Sequence, residues 1–152
     1  MKKGNYKKFG LMMAVSFVVM YAVMFLNADQ FDHVMLSTTR TYMTLLMIAP
    51  MAISMMLFMW GMYENKKWNY AILGLALVTF IACYVGLRRQ VLVTDVEYIK
   101  AMIPHHSSAI MVSQQATFHD PETKKLAEEI IEAQKREIAQ MKKIIYRLEN
   151  DD

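Results

Sequence analysis

Two adjacent histidines, His105 and His106, follow Pro104 and stand three and four residues after Met102. Gln134, Glu137 and Met141 come later in the same C-terminal stretch. Neutral imidazole, carboxylate and thioether are all metal-ligating groups, and thioether sulfur favours a soft ion such as Cu(I). Pro104 leaves the carbonyl of Lys100 without a donor and bends a helix just ahead of the histidines. Whether these groups meet depends on the elements that carry them.

Two helix starts bracket the region. Thr94 with Glu97 three residues on reads as a capping box. Asp120-Pro121-Glu122 supplies an N-cap residue, a proline at the first helical position and an acid in the first turn. Thr117-Phe118-His119 leaves room only for a tight connection, so Asp95 to Glu149 forms two antiparallel helices, an αα-hairpin. In the second helix the heptad steps pick out Ala127, Ile130, Gln134, Glu137, Met141, Ile144 and Leu148 as the seam. In the first they pick out Ile99, Met102, His106, Ala109, Ser113 and Ala116, with His105 at its border. Antiparallel packing then brings His105 and His106 near Glu137 and Met141, with Met102 on the same face.

Two readings of that meeting stand side by side. In one, the groups hold a metal ion, because a carboxylate in an apolar seam is costly unless paired or bound to a cation. In the other, His105 and Glu137 share a buried hydrogen bond and the methionines are packing. Adjacent histidines point about 100° apart on a helix, so both cannot be centred on one seam. Ile110, Ile131, Ile138 and Ile145 fall off the seam, which leads to the expectation that two hairpins pair into a four-helix bundle.

The rest of the chain is apolar. Runs near 10–26, 42–62 and 70–87 carry no charge and approach or reach the length that spans a bilayer core. Pro50 lies within the second run as a tolerated kink. Trp60, Tyr63, Trp68 and Tyr70 gather where an interfacial aromatic belt belongs. Residues 1–90 therefore read as a membrane region and 91–152 as the hairpin. Lys2, Lys3, Lys7, Lys8, Lys66 and Lys67 flank one side; Arg40, Arg88 and Arg89 flank the other. That bias places the N-terminus in the cytoplasm and the hairpin outside a cytoplasmic (inner) membrane.

A net charge of +3 is too small to argue for nucleic acid as a partner. The single cysteine, Cys83, can form neither an intrachain disulfide nor a thiolate zinc site. Met43, Met47, Met51, Met55 and Met59 recur at intervals of four, with Met62 continuing the line. Such a stripe reads as packing or lipid-facing surface before it reads as an ion path. His33 and Met35, in the loop after the first span, read as ordinary loop residues; lying on the hairpin's side, they also leave a capture role open.

The segment Tyr98-Ile99-Lys100-Ala101-Met102-Ile103-Pro104-His105-His106, followed by Ala109-Ile110-Met111, resembles the domain of unknown function 305 family. Asp120-Pro121-Glu122 with Leu126-Ala127, Ile130-Ile131, Gln134, Glu137-Ile138 and Met141 extends the resemblance over the whole hairpin. It implies a ferritin-like helical bundle, here a half-bundle with one helix pair, and an association with copper. It also implies ligand roles for His105, His106, Met102 and Met111, with Glu137, Gln134 and Met141 nearby.

The sequence thus reads as an all-α membrane protein, three transmembrane helices followed by an antiparallel helical hairpin. The expected function is non-catalytic binding of copper outside the membrane, with the bilayer, the metal ion and a second copy as partners. A structural membrane protein whose hairpin mediates assembly is the alternative. A ferritin-like oxidase is a further one, although dinuclear carboxylate sites use Glu-x-x-His pairs that this chain lacks.

Overall fold

The computed structural model describes residues 4–150 and contains helices and connecting turns. The helices are α1 (Gly4–Val23), α2 (Thr38–Phe58), α3 (Lys66–Arg89), α4 (Asp95–Gln115) and α5 (Pro121–Asn150). Single 3₁₀ turns occur at Phe31–His33 and Trp60–Met62. Three of the helices, α1, α2 and α3, are long and apolar enough to cross a membrane, as expected of a multi-pass membrane protein. Each of the first two starts and ends about three to six residues earlier than the apolar runs indicate. The helical hydrogen-bond ladder extends into the polar flanks, where charge limits burial but not helix formation. Lys2 and Lys3 of the basic leader lie outside the described residues.

The chain divides into two compact units. One comprises 1–23 with 39–92; the other comprises 24–38 with 93–152. In the first, Phe9, Ala52, Met56, Tyr63 and Ala76 form the core. The Asn65 side chain accepts hydrogen bonds from the Lys67 and Trp68 amides and so caps α3. At the other end Gln90 takes the left-handed conformation (φ 50°) and its N–H closes the helix on Gly86 and Leu87. Gly86 lets the Tyr42 ring approach closely: a Cβ would stand 3.0 Å from that ring, whose hydroxyl donates to the Val91 carbonyl. The methionine stripe of α2 is split. Met43 and Met47 are exposed, whereas Met55 and Met59 pack against the core.

In the second unit α4 and α5 run antiparallel. Lys100 pairs with Glu149 at 2.8 Å, and His106 pairs with Glu137 further along. Thr94 accepts the Glu97 amide, half of the expected capping box. Glu97 does not return the bond; its carboxylate accepts the amide and hydroxyl of Thr38 instead. Asp120 accepts the amide and hydroxyl of Thr123, starting α5 as its sequence indicates.

The seam differs from the one read off the heptads. Ile99, Ile103, Ile110, Ile138 and Ile145 form the buried core, with Ile131, Met141 and Ile144 against it. On α5 the inward line runs through Ala127, Ile131, Ile138, Met141 and Ile145, so Ile138 points in and Glu137 sits at the rim. Of the isoleucines expected to await a second copy, Ile110, Ile138 and Ile145 are buried within one chain and Ile131 is partly buried against the same core.

Candidate metal centre in the hairpin

His106 faces α5 because it lies three residues after Ile103 and four before Ile110, both core residues. Its Nε2 lies 2.7 Å from Glu137 Oε2. Its Nδ1 lies 2.9 Å from the carbonyl oxygen of Met102, one helical turn back. The histidine is partly buried and the carboxylate about half exposed, with side-chain accessibilities of 17% and 53%. The pair opens into a groove of about 440 Å³ that Met102 and Met141 also line.

Both partners of the His106 ring are acceptors. A neutral imidazole carries one N–H, so it can satisfy only one of them. With Nδ1–H donated to the Met102 carbonyl, the Nε2 lone pair confronts a carboxylate. A positive charge at that position satisfies both: a second proton on the ring, or a metal ion between Nε2 and the carboxylate. A backbone carbonyl on the far nitrogen is the arrangement that orients metal-ligating histidines.

Four of the seven expected site residues thus share the groove: Met102, His106, Glu137 and Met141. The other three do not line it. His105 is exposed, its ring centroid 6.0 Å from that of His106 and at a steep angle to it. Met111 follows Met102 by nine residues, which at 100° per residue puts it on the opposite side of α4. Gln134 turns inward, and its buried Oε1 has no hydrogen-bond partner. The histidine paired with Glu137 is His106, not His105, because the pairing follows the Ile103–Ile110 line.

Among the described residues no three His, Cys, Asp or Glu side chains cluster closely enough to hold a metal ion. That donor count does not suit a structural zinc site, which takes four nitrogen or thiolate ligands. Met102 and Met141 line the same groove as His106 and Glu137, and a thioether is a soft donor.

The face of α4 beside this groove carries a second set of contacts that sequence reading missed. The segment 24–38 is not a free loop. Asn27 donates to Ser108 Oγ at 2.7 Å, and the Asp29 amide donates to Ser107 Oγ at 2.7 Å. His33, 5% exposed, places Nδ1 2.9 Å from the same Ser107 oxygen. Lys142 of α5 donates to Asp32, and Met35 packs against the isoleucine core. Ser107 Oγ thus serves both the Asp29 amide and His33, the direction of the second bond following the imidazole tautomer. Burial pushes the His33 pKa below its ordinary value, and Lys142 adds to the effect against the opposing pull of Asp32 and Asp29. The Thr38 hydroxyl and amide hold the Glu97 carboxyl below its ordinary range. The available signal was Ser107-Ser108 in mid-helix, where serine is disfavoured unless its hydroxyl has work elsewhere.

Comparison with known proteins finds a family model, domain of unknown function (DUF305), matching residues 87–145. An uncharacterized protein of Acanthamoeba polyphaga mimivirus is 33% identical over 138 residues, covering 89% of this chain and 89% of that protein. No solved structure matches the chain.

Proposed function

Because this chain belongs to the DUF305 family, we propose that it is a membrane-anchored metal-binding protein whose ion is copper. His106 and Glu137 hold the ion, with the Met102 and Met141 thioethers completing its surroundings. The observation that carries this reading is His106 itself, which has an acceptor within hydrogen-bond distance of each ring nitrogen, an arrangement that a cation at Nε2 would satisfy in full. Metal and proton compete for that lone pair, so acidification weakens binding. The role assigned is capture and storage at the outer face of a cytoplasmic membrane, with no turnover. The lysine bias of the flanks supports that orientation.

One observation favours a structural reading instead. The His106–Glu137 contact joins α4 to α5 without any metal, as a strut between the two helices. Metal content separates the two. The full chain, purified in detergent without added metal and then exposed to copper and desalted, retains copper under the first reading and none under the second. His106→Ala abolishes retention only under the first.

A further inference from the structure

Lys7 and Lys8 are separated from Lys66 and Lys67 by almost the whole of two spans, yet the fold makes them neighbours. The Tyr6 hydroxyl lies 3.0 Å from the Asn65 carbonyl and 2.8 Å from Asn69 Oδ1. Asn69 is fully buried and its amide donates to the Tyr63 carbonyl at 3.0 Å. The Tyr6 ring stacks at a tilt on Tyr63, 5.0 Å between centroids, and lies 6.5 Å from Trp68. Residues beside Tyr6 and residues beside Asn65 therefore share one end of the three-span unit. All four lysines there are exposed.

Little acid balances them: Glu64, in the turn just before Lys66, is a single carboxylate against four lysines. Across 1–23 and 39–92 the sequence contains one acidic residue, Glu64. Aromatic rings stand around the lysines. Trp68 and Tyr70 are 60% and 65% exposed, and Lys66 lies 4.6 Å from the centroid of the Trp60 ring. Trp and Tyr settle at headgroup depth in a bilayer, so lysines among them meet lipid phosphates. A lysine near an anionic lipid surface gains about a fivefold enrichment.

We propose that this end of the unit is a binding site for the headgroups of anionic phospholipids, built by Tyr6 from two separate lysine pairs. Its test uses the full chain in bilayers of phosphatidylcholine with spin-labelled phosphatidylglycerol or spin-labelled phosphatidylcholine, reading the motionally restricted fraction. The expected result is a several-fold preference for phosphatidylglycerol that collapses in high salt. Lys7→Gln/Lys8→Gln and Lys66→Gln/Lys67→Gln each reduce it, and Arg88→Gln/Arg89→Gln, at the other end of α3, leaves it intact. Each variant keeps one lysine pair or both, so membrane insertion survives. Equal restriction of the two lipids in the parent overturns the proposal, as does a preference that survives loss of either lysine pair or vanishes with the arginines.

Discussion

His106 and Glu137, 31 residues apart, meet across the hairpin with Nε2 and Oε2 2.7 Å from each other. The Met102 carbonyl on the other ring nitrogen makes this contact informative, because it fixes which nitrogen faces the carboxylate. Glu137→Gln keeps the shape of that partner and removes its charge. Binding of Cu(II), which favours oxygen and nitrogen donors, should fall by about tenfold or more. Cu(I) should lose less, because thioether ligands carry more of its affinity. Parallel titrations with the two oxidation states measure the difference; equal losses would count against a mixed carboxylate and thioether site.

The clamp of segment 24–38 on the hairpin should loosen in mild acid. His33 is held neutral, with its folded pKa below the ordinary 6.5, so the undocked segment binds a proton that the docked one does not. The docked state is fully favoured above pH 6.5 and weakens as pH falls below it. Glu97 acts in a lower window: its pKa is depressed from 4.5, so its contribution fades only as pH falls below that value. Hydrogen exchange at the Asp29 amide, corrected for its intrinsic rate, should rise between pH 7.5 and 5.5. In His33→Gln that pH dependence should vanish. Unchanged protection in the parent would refute the neutral clamp.

The corrected seam can be tested by stability. Ile138→Ala removes a side chain that is 4% exposed and should cost about 2–4 kcal/mol in the hairpin. Ile130→Ala, on the line first read as the seam, should cost clearly less. Denaturant melts of the full chain followed by exchange within α4 and α5 give both values. Equal costs would restore the earlier phase.

Orientation follows from the flanking charges. A reporter fused after Asp152 should be active only outside the cytoplasm. Activity confined to the cytoplasm would reverse the orientation and the proposed site of action with it.

Much of this architecture is legible in local chemistry. Thr94, Asp120 and Pro121 mark the starts of α4 and α5 because caps act within a few residues. The uncharged runs announce three spans because bilayer thickness sets their length. The heptad phase is harder, since Ile130-Ile131 and Ile144-Ile145 offer an apolar side chain at either position. Only Glu137 beside Ile138 breaks the tie: a carboxylate belongs at the rim. At the candidate centre, His106, Glu137, Met102 and Met141 were within reach of helix periodicity. Met111 rested on resemblance, and helix geometry turns it away from the groove; Gln134 was placed on the seam by periodicity, and its ligand role rested on resemblance. The clamp was beyond local reading. His33 and Ser107 are 74 residues apart, and nothing near His33 announces a distant serine.

The most direct test of the central claim is the Cu(I) affinity of the full chain, measured by competition with a chromophoric chelator. The parent, Met111→Leu, His106→Ala and Met102→Leu/Met141→Leu variants would be compared under the same conditions. The account predicts one copper per chain in the parent and an unchanged affinity in Met111→Leu. It predicts losses of about tenfold or more in the other two, the scale on which metal sites respond to loss of their supporting groups. Equal affinity across all four proteins would contradict it, and would leave His106 and Glu137 as a strut between two helices.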